Sequence, residues 1–171
     1  MLMIYAGRHI SGGHYNSAIT VSIYLRGIFD KNDILPYIIV QLIAAVSAAL
    51  VVMRFSLSED TSSEILTLGI EAIIAEFIFT FTLAYVVLHV ATTESTLDNN
   101  YYGAAIALVV LVGAMTVGDI SLASFNPAVS SALVFSGKIS LADSWIHFAP
   151  QFIGAVLATY LYRYSHRTTI Q

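Results

Sequence analysis

Apolar positions in this chain do not alternate with polar ones at a helical or a strand period; they run on. Ile34–Met53, Ile65–Ala91, Tyr102–Val117 and Trp145–Tyr162 are nearly continuous in apolar or small residues. Most approach the ~20 residues that a helix needs to cross hydrocarbon. Four membrane-spanning helices are predicted. A large soluble helical core would instead require a polar face recurring at every turn, and these stretches are apolar all round. Two shorter segments, Asn16–Arg26 and Asn126–Ser136, each begin with Asn. At ~1.5 Å per residue neither can span ~30 Å of hydrocarbon, so both suit half-helices.

These segments belong to an internal repeat. Ile10-Ser-Gly-Gly-His-Tyr-Asn-Ser-Ala-Ile-Thr20 resembles Ile120-Ser-Leu-Ala-Ser-Phe-Asn-Pro-Ala-Val-Ser130 at an offset of 110 residues. The offset then continues without a gap: Gly27 meets Gly137, Asp33 meets Asp143, Gln41 meets Gln151, and Ala48 meets Ala158. The polar and glycine pairs carry the weight, because apolar matches are common in any membrane protein. Each copy reads as loop, short helix, polar turn and full membrane helix. Two spans precede the loop of the second copy, whereas nine residues precede Ile10 in the first. If the halves are equivalent, two helices are missing before Met1. The alternative is an asymmetric four-helix protein with an authentic start.

Composition agrees with the pattern and removes other classes. The 171 residues are 57% hydrophobic and only 11% charged, with a mean hydropathy of +0.79, outside the balance of soluble domains. No cysteine is present, which excludes a disulfide framework and thiolate metal sites. A net charge of −4 with scattered Lys and Arg offers no basic patch for nucleic acid. Met1–Gly13 has neither the basic start and apolar core nor the cleavage site of a secretory signal. Alternating the spans puts Arg26, Lys31, Arg163 and Arg167 on one side and Arg54 and Lys138 on the other. The first side, with the C-terminus, is therefore expected to be cytoplasmic. The loop Thr92–Asn100 falls on that side too, although it carries Glu94 and Asp98 and no positive charge.

Non-helical backbone is tolerated deep in a membrane only where protein buries it or where it lines a water-filled cavity, so two re-entrant loops imply such a cavity. Asn favours the helix N-cap because its side-chain oxygen accepts from the free N–H groups of the first turn. Pro127 suits the first helical position because it has no N–H to leave unpaired. Capping leaves the amide NH2 groups of Asn16 and Asn126 free to grip a solute oxygen, which would interrupt a proton wire. The positive ends of two half-helices add a barrier to cations. A single Asn-Pro-Ala is ordinary helix-start grammar; two related loops a full repeat apart are much more specific. The arrangement suits conduction of neutral solutes without a chemical step.

On these residues the chain resembles the aquaporin and glycerol-facilitator superfamily, the major intrinsic proteins. Ser11 to Thr20 is similar to the family's first signature loop, with Asn16, Ser17 and Ala18 in place of Asn-Pro-Ala, and Ser124-Phe-Asn-Pro-Ala128 is similar to the second, with Asn126, Pro127 and Ala128. Pro36–Gln41, Glu76–Thr80 with Ala91–Thr93, and Trp145 through Ala155 resemble the starts or ends of the family's later helices. The resemblance implies an all-α membrane protein: an aquaporin-like bundle of inverted repeats with two re-entrant half-helices, lacking its first two membrane helices. Residues 1–171 would form one domain, with 1–60 the remainder of the first repeat and 61–171 the complete second. It further implies one pore per subunit and a homotetramer when complete.

Two departures from the family pattern matter. Ser17 stands in place of the first Pro, leaving the helix start less fixed in φ. Val129 stands where most members carry an Arg that narrows the outer constriction and repels cations. The resemblance assigns further constriction positions to Ala114 and Ala123, both small, and Ser130 stands where glycerol facilitators carry an Asp. The filter implied is wide and Arg-less, permissive for water and small neutral solutes such as glycerol.

Other residues admit two roles. Glu71 and Glu76 could relay protons, since carboxyls within apolar helices usually serve a function; the resemblance favours Glu76 as a support for the backbone of a re-entrant loop, with Glu71 near the interface. His14 could be a pH-sensitive gate, but a buried loop-fixing role is preferred. The remaining histidines do not have metal-ligand spacing. Tyr101, Tyr102, Trp145, Tyr160, Tyr162 and Tyr164 are expected at the membrane interfaces, and Gly69, Gly103, Gly113, Gly118 and Gly154 at close helix contacts. No nucleophile–base pair, phosphate loop, metal site or cofactor site points to an enzyme. The expected protein is a passive channel in the cell membrane. A proton-coupled transporter and a non-conducting remnant are the rivals.

Overall fold

The computed structural model describes residues 1–56 and 65–167. In order these form α1 (Leu2–Ser11), α2 (Ser17–Arg26), α3 (Lys31–Ser56), α4 (Ile70–Ala91), α5 (Tyr102–Ser121), α6 (Pro127–Phe135) and α7 (Trp145–Arg167), with a 3-10 turn at Glu94–Thr96. The expected boundary between residues 60 and 61 lies outside the described residues.

The long helices follow the apolar runs, with corrections at their ends. α3 starts three residues earlier than expected, where the Asp30 carboxylate accepts from the Asn32 N–H at 2.8 Å. The run beginning at Ile65 is not helical until Ile70. Before that point the Leu66 N–H pairs with the Lys138 carbonyl and Leu68 packs against Ile139 and Ile146, so tertiary contacts claim this apolar stretch. α5 runs on to Ser121 and α7 to Arg167.

Among the described residues, three helices are both long and apolar enough to cross a membrane: Lys31–Phe55, Ile70–Ala91 and Tyr102–Ser121. α7 has 23 residues, ~34 Å at 1.5 Å per residue, so it is long enough. It is less apolar than expected because it carries polar residues, of which His147, Gln151 and Thr159 are buried within the protein. These polar groups are spent on internal partners rather than offered to lipid.

α4 is the central element: 39% of its most apolar window is buried, against 11% for α3 and 17% for α5. Its most extensive partner is α7. Gly154 permits this approach, since a Cβ there would lie 2.7 Å from the Phe77 carbonyl oxygen of α4. Gly113 and Gly103 likewise admit the rings of Phe125 and Tyr5. Gly69 and Gly118 do not serve this purpose: a Cβ on Gly69 would meet only its neighbour Glu71, and Gly118 faces open space.

The half-helices pack crosswise. α2 lies against α7 and α6 against α3, so each short helix rests on the long helix that closes the other repeat. Ser22 and Thr159 share a hydroxyl hydrogen bond of 2.7 Å at the first of these contacts. Arg163 adds a bond to the Leu25 carbonyl at 3.2 Å.

Most of the expected interfacial aromatics are exposed, including Trp145, Tyr160 and Tyr164. Tyr102 is half-buried, and Tyr162 is buried at 1% exposure. Its hydroxyl meets Thr93 at 2.9 Å, and its ring takes His166 on one contact and the Arg26 guanidinium on another. It therefore ties α7 to the end of α4 instead of anchoring in the headgroups.

Candidate functional site: two crossed helix starts beside a cavity

The two loops begin their reversal with the same backbone geometry. α1 ends at Gly12 with φ 71° and α5 ends at Leu122 with φ 59°; the next residues, Gly13 and Ala123, also have positive φ, 71° and 46°. Glycine accommodates this in the first loop. In the second, Leu122, Ala123 and Phe125 hold conformations that L-residues adopt at a cost, and surrounding contacts must impose them.

Asn16 and Asn126 cap the half-helices as expected. The Asn16 side-chain oxygen accepts from the N–H groups of Ala18 (3.0 Å) and Ile19 (3.4 Å), and that of Asn126 accepts from Ala128 (3.0 Å). The amide nitrogens are not left wholly free, which corrects the expectation from sequence. Asn16 Nδ2 donates to the Phe125 carbonyl at 2.7 Å, and Asn126 Nδ2 donates to the Tyr15 carbonyl at 2.8 Å. Each Asn thus holds the residue that precedes the other. Since a carboxamide has two N–H donors, one remains on each side chain for a further acceptor. The N-termini of α2 and α6 meet at this crossing, which brings two positive helix ends together.

Glu76 holds the second loop in place. It is fully buried and accepts four hydrogen bonds: from Ser121 Oγ (2.7 Å) and the Ser124 N–H (3.0 Å) on one oxygen, and from the Phe125 N–H (2.8 Å) and Gln151 Nε2 (2.7 Å) on the other. These partners fix the strained stretch from Leu122 to Phe125. Glu71 lies exposed in the first turn of α4, close to the positive helix end.

The glutamines act in parallel. Gln41 Nε2 donates to the His14 carbonyl and, at 3.0 Å, to Thr20 Oγ1, while its oxygen accepts from Ser17 Oγ at 2.8 Å. Gln151 Nε2 donates to Glu76 and to Ser130 Oγ (2.9 Å). Its oxygen has no protein partner, because Pro127 stands where Ser17 supplies the hydroxyl in the first copy. Ser17 therefore gains through Gln41 an anchor that a proline lacks. His14 is wedged between the rings of Phe29 and Tyr37, at centroid distances of 5.1 and 5.7 Å, as a loop-fixing residue would be. His147 joins the second network, with its Nδ1 3.1 Å from Ser130 Oγ.

A cavity of about 620 Å³ lies beside the crossing; its walls include Tyr15, Asn16, Ser124, Asn126, Val129 and His14. Ala18 and Ala128 are buried behind the helix starts. Ala114 is exposed on α5 and Ala123 half-buried in the loop, and neither lines this cavity. From sequence, Gln41 and Gln151 serve as repeat markers, Gln41 also within a stretch that resembles a family helix, and Ser130 only as a departure from the glycerol-facilitator pattern; Arg8 and His147 attract no structural role. The usable signal was a Gln held at constant register inside otherwise apolar helices.

A family model described as Major intrinsic protein matches residues 1–162. Aquaporin NIP1-2 of Arabidopsis thaliana is 31% identical over 174 residues, covering 95% of this chain and 58% of that protein. Nodulin-26 of Glycine max is 29% identical over 165 residues, covering 94% and 60%. Aquaporin Z of Photorhabdus laumondii is 29% identical over 180 residues, covering 95% and 77%. The chain thus spans about three-fifths of the length of the plant relatives it matches. Its family match, its apolar helices and its crossed half-helices agree: the chain belongs to the major intrinsic protein family and is an integral membrane protein with an aquaporin-like helical bundle.

Proposed function

We propose that this protein is a passive channel for water and small neutral solutes such as glycerol. The observation that carries this is the pair of crossed asparagines, each with one N–H left over, on the wall of the cavity. A solute oxygen held by both amides would have its lone pairs engaged at that point. It could not accept a proton-bearing hydrogen bond from the next molecule in the file. The two helix N-termini would oppose cations at the same level. Asn16 and Asn126 face the centre of this pathway, and Ser17, Ala18, Pro127 and Ala128 build the helix starts behind them. Val129 stands on the cavity wall at a wide constriction without an Arg, whereas Ala114 and Ala123, the other positions assigned to it by resemblance, lie off this wall.

Glu76 is a support in this scheme, not a proton carrier, since all four of its hydrogen bonds fix the loop and its partner Gln151. That favours a channel over a proton-coupled transporter. We read residues 1–60 as the remainder of a first repeat and 61–171 as a complete second one within a single domain. The working form is a homotetramer in the cell membrane with the C-terminus on the cytoplasmic side. The gathering of Arg26, Tyr162, Thr93 and Arg163 at one end of the bundle supports that side assignment.

The test is solute discrimination in proteoliposomes, followed by light scattering after osmotic shock. Glycerol should enter along with water, and Val129→Arg should cut glycerol entry on the order of tenfold while sparing water. Passage of water alone, with every polyol excluded from the wild type, would defeat the wide-filter assignment.

A further inference from the structure

Among the described residues that line the cavity, Arg8 is the one Lys, Arg, Asp or Glu. Its guanidinium lies 4.1 Å from the centroid of the Tyr102 ring, and Nη2 donates to the Ala91 carbonyl at 3.5 Å. Neither partner carries a formal charge, so the cation is held in position without being neutralised. The ring face and a carbonyl at the negative end of α4 favour the cation there. They leave most of its five N–H donors available. α1 itself is fastened alongside by Tyr5, whose hydroxyl donates to the Asn100 carbonyl at 2.8 Å and whose ring packs on Tyr102.

The position of Arg8 sets it apart from the asparagine crossing. Ala91 lies roughly 22 Å along α4 from Glu76, at 1.5 Å per residue, and Glu76 holds the loop that leads into Asn126. Arg8 therefore stands at the far end of the cavity, beside Thr92 and Tyr102. The internal repeat makes the asymmetry explicit. At the 110-residue offset the counterpart of Arg8 is Gly118, which faces open space, and the residue after Ala128 is an uncharged Val129. Among the described residues that line the cavity, the fixed positive charge lies at the Arg8 end.

We propose that Arg8 is the charge filter of this pathway: its guanidinium, held between Tyr102 and the end of α4, repels cations at the mouth formed by α1, α4 and α5. This rests on the channel function proposed above. A half-buried charge on a cavity wall is screened less than one in bulk water, so it raises the barrier to cations far more than to water.

The experiment uses the full chain in proteoliposomes and reads osmotic water permeability and potassium conductance on the same preparation, for wild type, Arg8→Gln and Arg8→Lys. The wild type and Arg8→Lys should pass water and hold potassium. Arg8→Gln should pass water within about twofold of wild type and raise potassium conductance roughly tenfold or more. If the wild type passes water but Arg8→Gln remains tight to potassium, the filter assignment fails alone. Potassium leakage through both variants would assign Arg8 to packing on Tyr102 and also overturn it. A wild type that passes no water would bring down the channel function and the filter together.

Discussion

Replacing Glu76 with Gln removes one acceptor oxygen from a site where four donors converge. The new NH2 must face two of them. Facing Ser121 and Ser124, it meets a hydroxyl that can turn to accept but also the Ser124 N–H, which cannot. Facing Phe125 and Gln151, it can recruit the unpartnered Gln151 oxygen after an amide flip, but the Phe125 N–H is left unpaired. Either way one buried backbone donor is stranded and the remaining bonds lose their charge assistance. A stranded group costs about 1–3 kcal/mol and each charge-assisted bond about 1 kcal/mol more than a neutral one, which together give a loss of about 3–5 kcal/mol. Because the Phe125 carbonyl is the acceptor for Asn16, a shift in this loop also disturbs the crossing. Denaturant unfolding in detergent, followed by circular dichroism, gives the stability. Light scattering from vesicles gives water permeability, which should fall on the order of tenfold. A Gln variant within about 1 kcal/mol of wild type and unchanged in permeability would refute the assignment of Glu76 as the support of the second loop.

Other perturbations reach the remaining parts of the site. Asn16→Asp keeps the cap acceptor but loses the donor to Phe125 and adds a negative charge; proton or cation leakage through vesicles should rise, and an unchanged leak would count against the role of the amide. Ser17→Ala deprives Gln41 of its hydroxyl partner and should cost about 1–2 kcal/mol in unfolding free energy, whereas no loss would mean that the bond contributes nothing. Gly154→Leu forces a side chain towards the Phe77 carbonyl and should destabilise by about 1–3 kcal/mol or more, measured as a lower thermal midpoint in detergent; a neutral effect would show that α4 and α7 can separate freely.

How much of this was legible from sequence depended on the range of the interaction concerned. The half-helices were readable because Asn16 and Asn126 act on N–H groups two or three residues ahead, a local grammar. The long helices were readable because uninterrupted apolar residues leave few alternatives in a membrane. Helix ends were harder: Ile65–Leu68 is as apolar as the helix it precedes, and only its contacts with Lys138, Ile139 and Ile146 keep it out of the helix. The crossing of the asparagines was invisible, because each amide seeks a carbonyl about 110 residues away. Tyr162 was misread for the same reason: its composition and place suit an interface, but Thr93 and Arg26 draw it inward. Glu76 could be assigned by resemblance, yet its four partners appear only in three dimensions.

The most direct measurement is water flux and proton flux in the same vesicles, using light scattering after an osmotic step together with an internal pH dye. The purified protein should raise water permeability well above that of protein-free vesicles while proton entry stays at the protein-free level, as crossed amides that interrupt a hydrogen-bonded file require. Folded protein that leaves water permeability unchanged, or that passes protons along with water, would contradict the account.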